Sequence, residues 1–361
     1  MLVYACWACW IIIGLLLLDN ANIGAFQSAF CRTIQKYNSA IVIRVNNYKN
    51  TNIHRFDKRI INVEQNFNIL FCKTNYSINV IIINIMGKLT KIITGGVLAG
   101  LIVRYGLPEA LRLLGLHARY ENYNIKVTGK ALIIATNQSK LAPRDQDTCV
   151  ASSEITHPYY DFQDAGMDVD VGSIKGGLVP VDPSTIGWLM LQTSEHCRRS
   201  LTDNEFQSKV KNSLSISDIN VNDYDIIYLA GGWGAAYDFA QSSELGEFIT
   251  QANASNKLIG SVCHGALGLV NAKKENGEPL LKGRRATGVT DKQIKELDIT
   301  VTPKHPETEM RKTGVIFESE TAFKDPFARH TVVDGNLITG QNQNDAGRVA
   351  QELLKLLKSK I

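Results

Sequence analysis

The sequence predicts a three-layer α/β/α sandwich around a mostly parallel sheet, and three observations carry that prediction. From about Lys130 to the C-terminus, short apolar runs alternate with amphipathic stretches. One run, Leu258–Val262, stops on Cys263-His264-Gly265. Another, Asp225–Ala230, stops on Gly231-Gly232-Trp233-Gly234. Strand-type and helix-type patterns in alternation mean parallel strands joined by right-handed crossovers, with a site at the strand carboxyl ends.

The elements follow in order. Lys130–Thr136 is an apolar, buried-type strand, and Ser153–Ala165 a helix stopped by Gly166. Met167–Gly172, Asp225–Ala230 and Leu258–Val262 are the later strands. Ser243–Ala252 and Gly265–Ala272 read as helices, and Val332–Asn342 as a hairpin around Asp334-Gly335. The last helix, Asp345–Lys358, puts Val349, Leu353, Leu354 and Leu357 on one face, which packs on the sheet. About 230 residues suffice for one sizeable core.

The strand–cysteine–histidine–small-residue pattern reads as a nucleophile elbow. It exposes the Cys263 side chain at a strained strand-to-helix turn. N–H groups of the following helix would point at the sulfur and lower its pKa from about 8.5. An ordinary buried cysteine is the competing reading of Cys263 alone. The glycine turn at Gly231-Gly232 lets backbone N–H groups approach a substrate closely, as an oxyanion hole requires. A third segment, Ser153-Glu154-Ile155-Thr156-His157-Pro158, places an acid in the first turn of a helix.

Taken together in this order and spacing, these segments resemble the ThiJ/PfpI superfamily, the DJ-one type. The resemblance is to its glyoxalase III-like, class I glutamine amidotransferase-like branch. It runs from about Lys130 to the C-terminus and includes the closing hairpin. It implies a flavodoxin-like sheet and a catalytic domain over 129–361. It also implies roles: Cys263 the nucleophile, Glu154 the acid on its sulfur, and His264 the neighbouring histidine. Gly231, Gly232 and the His264 N–H would form the oxyanion-type pocket, with Trp233 beside it. Two anions cannot share an apolar site comfortably, so Glu154 should be protonated beside a thiolate and able to move protons.

The chain departs from the family pattern in three places. Trp233 stands where members often carry histidine. Ile294 aligns where an acid often orients the histidine, leaving Asp291, Glu296 or neither for that role. Cys149 and Ala151 replace a common Gly and Trp; Cys149 is either a redox partner of Cys263 or a free buried thiol. His305-Pro306-Glu307 imitates the end of an amidotransferase triad. It lies only 42 residues after Cys263, where a surface loop before a helix starting at Glu307 fits better.

The N-terminal third differs in composition. All nine prolines lie from Pro108 onward, and up to Ile85 the only glycines are Gly14 and Gly24. Residues 1–85, crowded with Asn and Ile after Asn38, read as a low-complexity extension preceding a more natural start at Met86. Val3–Leu18 is apolar but, at sixteen residues, short for a span and without a basic flank. Over 86–116, Lys88 and Lys91 precede the apolar stretch Ile92–Val103, a signal-anchor or single transmembrane pattern. Such an anchor, N-terminus inside, would place the catalytic domain outside the cytoplasm. An amphipathic packing helix is the cytoplasmic alternative.

The net charge of +4 with interleaved signs offers no basic stripe for nucleic acid. Seven cysteines with a single CxxC pair, Cys6 and Cys9, and no regular spacing elsewhere indicate neither a complete zinc set nor a disulfide framework, and no phosphate loop is present. No cofactor or metal is expected. The resemblance implies a glutathione-independent glyoxalase III- or deglycase-like enzyme, a lyase turning small 2-oxoaldehydes into hydroxy acids, and a homodimer. Two rivals stay open: a cysteine peptidase or amidase of the same superfamily, and a non-enzymatic stress chaperone or redox sensor using Cys263 oxidation.

Overall fold

A computed structural model describes residues 87–107, 109–110, 121–142, 144–187, 191 and 194–360. The 1–85 extension, Val3–Leu18, Met86 and residues 111–116 of the expected anchor lie outside the described residues. The chain divides into two units, Met1–Ile92 and Ile93–Ile361. Gly87–Gly106 is one helix of 20 residues with a mean hydropathy of 1.2 and none of that window buried. Its length and composition are those of a helix able to cross a membrane.

The second unit carries a seven-stranded sheet. Its strands are β1 (Lys130–Ala135), β2 (Asp168–Ser173), β3 (Leu214–Ser215), β4 (Ile226–Leu229), β5 (Leu258–Val262), β6 (Thr331–Asp334) and β7 (Leu337–Gly340). Their spatial order is β6-β7-β5-β4-β1-β2-β3. All neighbours are parallel except β6, which hairpins back on β7. The principal helices are α1 (Ser152–Ala165), α2 (Asn204–Lys211), α3 (Ser243–Ala254), α4 (Asp291–Glu296), α5 (Pro306–Lys312) and α6 (Ala346–Lys360).

The alternation of side chains along β1 builds the three layers. Ala131, Ile133 and Ala135 pack with α1 and α6 in one core. Leu132 and Ile134 pack with α3 and the turn after Cys263 in the other. A strand covered on both faces must be apolar at every position, which is why β1 and β4 are continuous hydrophobic runs. Gly166, at φ 102°, closes α1 and turns the chain into β2. Ser242 starts α3 by accepting the Leu245 N–H at 3.0 Å.

The fold class expected from sequence is therefore observed, and the strands agree to within one residue at either end. One expectation is corrected. The segment after Cys263 is a 3-10 helix, Cys263–Leu269, rather than an α-helix over Gly265–Ala272. It lies hard against β4: a Cβ at Gly268 would meet Leu229 Cδ1 at 2.9 Å, and one at Gly265 would strike the Leu229 carbonyl. The narrower 3-10 winding suits so close an approach. The His-Pro-Glu segment starts α5 one residue earlier than expected, with Pro306 at its first position, where no N–H is needed.

Candidate active site

β5 delivers Cys263 at the carboxyl edge of the sheet. Cys263 has φ +57°, a left-handed conformation that costs a residue with a side chain about 1–3 kcal/mol. The elbow predicted from sequence is thus present, and its strain aims the sulfur out of the strand. Cys263 is 5% exposed.

α1 brings Glu154 to the same point in its first turn. Pro158 lacks an N–H, so the Glu154 carbonyl has no helical donor one turn on. The Glu154 side chain is 1% exposed, and its carboxyl meets the Cys263 sulfur and the Gly231 N–H. Burial pushes its pKa up to about 8, with those two hydrogen bonds opposing. Glu154 therefore holds its proton at neutral pH, as the sequence reading requires.

The glycine turn is packed against both groups. A Cβ on Gly231 would strike Glu154 Oε2 and meet the Val262 carbonyl at 2.6 Å. Gly232 has φ +95°, and a Cβ there would meet the Ala151 nitrogen at 2.6 Å. The donors divide differently from expectation. Gly232 and His264 turn their N–H groups to the Cys263 sulfur, whereas the Gly231 N–H serves the Glu154 carboxyl.

The thiol itself corrects the sequence reading. Burial raises the Cys263 pKa well above its ordinary value, and the Glu154 charge raises it further. The N–H groups of His264 and Gly232 pull the other way and are outweighed. The turn behind the sulfur is a 3-10 helix of 7 residues, a weaker source of aligned dipoles than the expected α-helix. At rest the pair is a thiol beside a carboxylic acid, and it ionises as a unit.

His264 is fully buried, with Nδ1 3.5 Å from the sulfur. Burial, followed by the charge of His305, drives its pKa down to about 3, so the ring is neutral. Its Nε2 has no hydrogen-bond partner among the described residues. Asp291 instead accepts from Thr308 Oγ1 at 2.7 Å and faces His305 Nδ1 at 3.9 Å. Glu296 accepts from the Asp325 N–H at 2.8 Å. Cys263 and His264 form a dyad to which neither acid is joined. Glu307 accepts from the Asp291 N–H at 2.9 Å and from Arg311, while His305 Nδ1 faces Asp291, so the contacts around His305-Pro306-Glu307 are not those of an amidotransferase His–Glu pair. Cys149 donates to the Pro180 carbonyl. It is a free buried thiol, the second of its two readings, and burial raises its pKa.

A cavity of about 180 Å³ opens over Cys263, and Glu154, Gly232, Trp233 and His264 line it. Asp182, Ser184, Thr185, Val289, Gln293 and Asn342, which sequence reasoning missed, line it too. The Asp182-Pro183-Ser184 pattern was a readable cap signal: Asp182 accepts from the Ser184 N–H at 2.9 Å. Nothing local marks the others.

A strained cysteine at the carboxyl edge of a parallel sheet, with a buried protonated acid and two N–H donors on its sulfur, has the geometry of a nucleophile elbow on an α/β sandwich. Residues 148–356 match the DJ-1/PfpI family model, and the chain belongs to that family. Glyoxalase 3 of Candida albicans is 27% identical over 231 residues, covering 62% of this chain and 97% of that one. The glutathione-independent glyoxalase hsp3101 of Schizosaccharomyces pombe is 28% identical over 239 residues, covering 64% and 97%. The crystal structure of glyoxalase III from Candida albicans superposes with a TM-score of 0.57 at 26% identity, covering 63% of this chain and 98% of that one.

Proposed function

We propose that this chain is a cysteine-dependent, glutathione-independent glyoxalase of the glyoxalase III type, converting 2-oxoaldehydes to 2-hydroxy acids. The observation that carries the proposal is the protonated Glu154 carboxyl on the sulfur of a strained Cys263 under a small cavity. The named relatives support it.

In this reading the Cys263 sulfur adds to the aldehyde carbon while its proton leaves toward His264 Nδ1, 3.5 Å away. A ring whose charged form is so disfavoured passes that proton straight to the new alkoxide, which becomes the hemithioacetal hydroxyl. The Gly232 and His264 N–H groups steady the oxygen during the transfer. Glu154 then gives its proton to the neighbouring ketone oxygen and takes the hydrogen from the former aldehyde carbon, forming an enediol. Return of a proton to the second carbon and loss of one from the first hydroxyl yield a thioester. Water cleaves it to the hydroxy acid and regenerates the thiol. The net change is addition of one water, with no electron donor.

Conversion of methylglyoxal to lactate by the purified chain, abolished in Cys263→Ser, is the expected result; full conversion by Cys263→Ser overturns the proposal. A cavity of about 180 Å³ lies below the roughly 300–1,000 Å³ of pockets for drug-sized ligands. That suits a small carbonyl and disfavours a peptidase, whose substrate is an extended chain. The chaperone and redox-sensor reading requires Cys263 chemistry without turnover, and the same assay separates it.

The proposal extends to organisation. Residues 1–85 precede the domain, 86–116 anchors it through Gly87–Gly106, and 129–361 is the catalytic domain, paired as a homodimer. The unburied apolar helix is the support for anchoring. Recovery in the alkaline-washed membrane fraction is expected, and release into the supernatant would overturn the anchor. Light scattering on the detergent-solubilised chain tests the dimer.

A further inference from the structure

Resting on the glyoxalase reading, we infer that Trp233 selects neutral 2-oxoaldehydes bearing an apolar, preferably aromatic, substituent over hydroxylated or phosphorylated ones. The cavity lining combines Cys263 and the proton-holding Glu154 with the apolar side chains of Trp233, Val289, Leu297 and Pro326. Trp233 is half-buried and packs on the core that also contains Cys263 and Val289. Val289 is 1% exposed, whereas Leu297 is 37% exposed and so lies toward solvent.

Two arguments follow from that lining. An apolar substituent against these side chains leaves water for Trp, Val, Leu and Pro surfaces, whereas a hydroxyl there must give up its hydrogen bonds to water. The second concerns charge. Asp182 lines the same cavity, and among the described residues no lysine or arginine does. A phosphate or carboxylate substituent would enter without a cation and beside an acid. The carbonyl pair itself asks for neither charge, only the N–H groups and the proton already present.

Trp233 is the decisive residue because it follows directly on Gly232, whose N–H reaches the sulfur. Its ring is carried by the turn whose N–H reaches the sulfur. An indole supplies a flat apolar face for an aromatic ring, at the offset or edge-to-face geometries such pairs prefer. The histidine side chain that family members often carry would replace that face with a smaller, polar one.

The test compares kcat/KM of the full chain for phenylglyoxal, methylglyoxal and 3-hydroxy-2-oxopropanal, in wild type, Trp233→Phe and Trp233→His. Wild type is expected to favour phenylglyoxal over the hydroxylated compound by about tenfold or more, the discrimination a hydrophobic pocket achieves. Trp233→Phe should keep that ratio and Trp233→His lose most of it. An unchanged ratio in Trp233→His, or a wild-type preference for the hydroxylated compound, overturns the inference. The wild-type ranking decides alone if the histidine variant does not fold. A second readout separates this inference from the glyoxalase reading: protection of Cys263 from iodoacetamide by the unreactive ketones 2-hydroxyacetophenone and hydroxyacetone. If no glyoxal is turned over, protection by the aromatic ketone at about tenfold lower concentration, lost in Trp233→His, upholds the pocket assignment while the glyoxalase reading fails. Equal protection by both ketones refutes the pocket assignment.

Discussion

Replacing Glu154 by glutamine should flatten the alkaline loss of stability. The carboxyl titrates at 4.5 when exposed and at about 8 in the folded chain, because burial penalises its charge. Between those values the folded state keeps a proton that the unfolded state has released. Stability therefore falls as pH rises from 4.5 and levels off above about 8. At 1.36 kcal/mol per pH unit, the interval amounts to on the order of 5 kcal/mol, of which about 4 falls above pH 5. Glutamine has nearly the same shape and no such proton, so this loss disappears. Asp345, raised by burial to about 7, titrates equally in both proteins and cancels from the comparison. Cys263 is raised above its ordinary 9.0, so its ionisation falls above the window. The assay is urea denaturation of the full chain and of Glu154→Gln at about pH 5 and about pH 8.5, spanning the interval over which the slope acts. The difference between the two proteins should shift in favour of the variant by on the order of 4 kcal/mol across that range. Parallel pH curves would refute the argument, since they would mean that the buried carboxyl carries no displaced proton.

Three further outcomes are expected. Gly231→Ala forces a Cβ into Glu154 Oε2 and to within 2.6 Å of the Val262 carbonyl, so overpacking of about 1–3 kcal/mol and a large loss of turnover should appear in melting and rate assays. His264 runs opposite to Glu154: its pKa falls from 6.5 to about 3, so the unfolded chain gains a proton that the fold refuses, and stability drops as pH falls through that window. His264→Gln should move the acid denaturation midpoint downward, read by circular dichroism. Asp345 accepts the N–H groups of His330, Gln341 and Asn342, the last a cavity residue. Asp345→Asn should cost about 1–3 kcal/mol for groups left poorly paired and raise KM more than it lowers kcat, measured by denaturation and steady-state kinetics.

Much of the site was legible because its reactive groups sit in local patterns. An apolar run stopped by Cys263-His264-Gly265 can fold as a strand and elbow, and the positive φ of Cys263 bears this out. Glu154 could be placed on a helix because Gly166 and the apolar spacing bound that helix at one end. The thiol's acidity was not legible in the same way. Local reasoning counts the N–H groups behind the sulfur, while the direction of the shift follows from the 5% exposure that β5, α1 and the glycine turn impose together. The missing acid was half legible: Ile294 stood at the aligned position, but only the structure ties Asp291 to Thr308 and Glu296 to Asp325.

Sequence by itself determined the alternation of layers, the strand on which the nucleophile sits and the need for glycine beside it, because these depend on side-chain periodicity and backbone sterics within a few residues. Tertiary structure alone decided the rest of the cavity lining, to which Val289, Leu297, Pro326 and Asn342 come from outside the patterned segments. It alone decided the proton inventory of Glu154, Cys263 and His264 as well. Desolvation is a property of everything packed around a group, and no stretch of chain carries that information before the layers close.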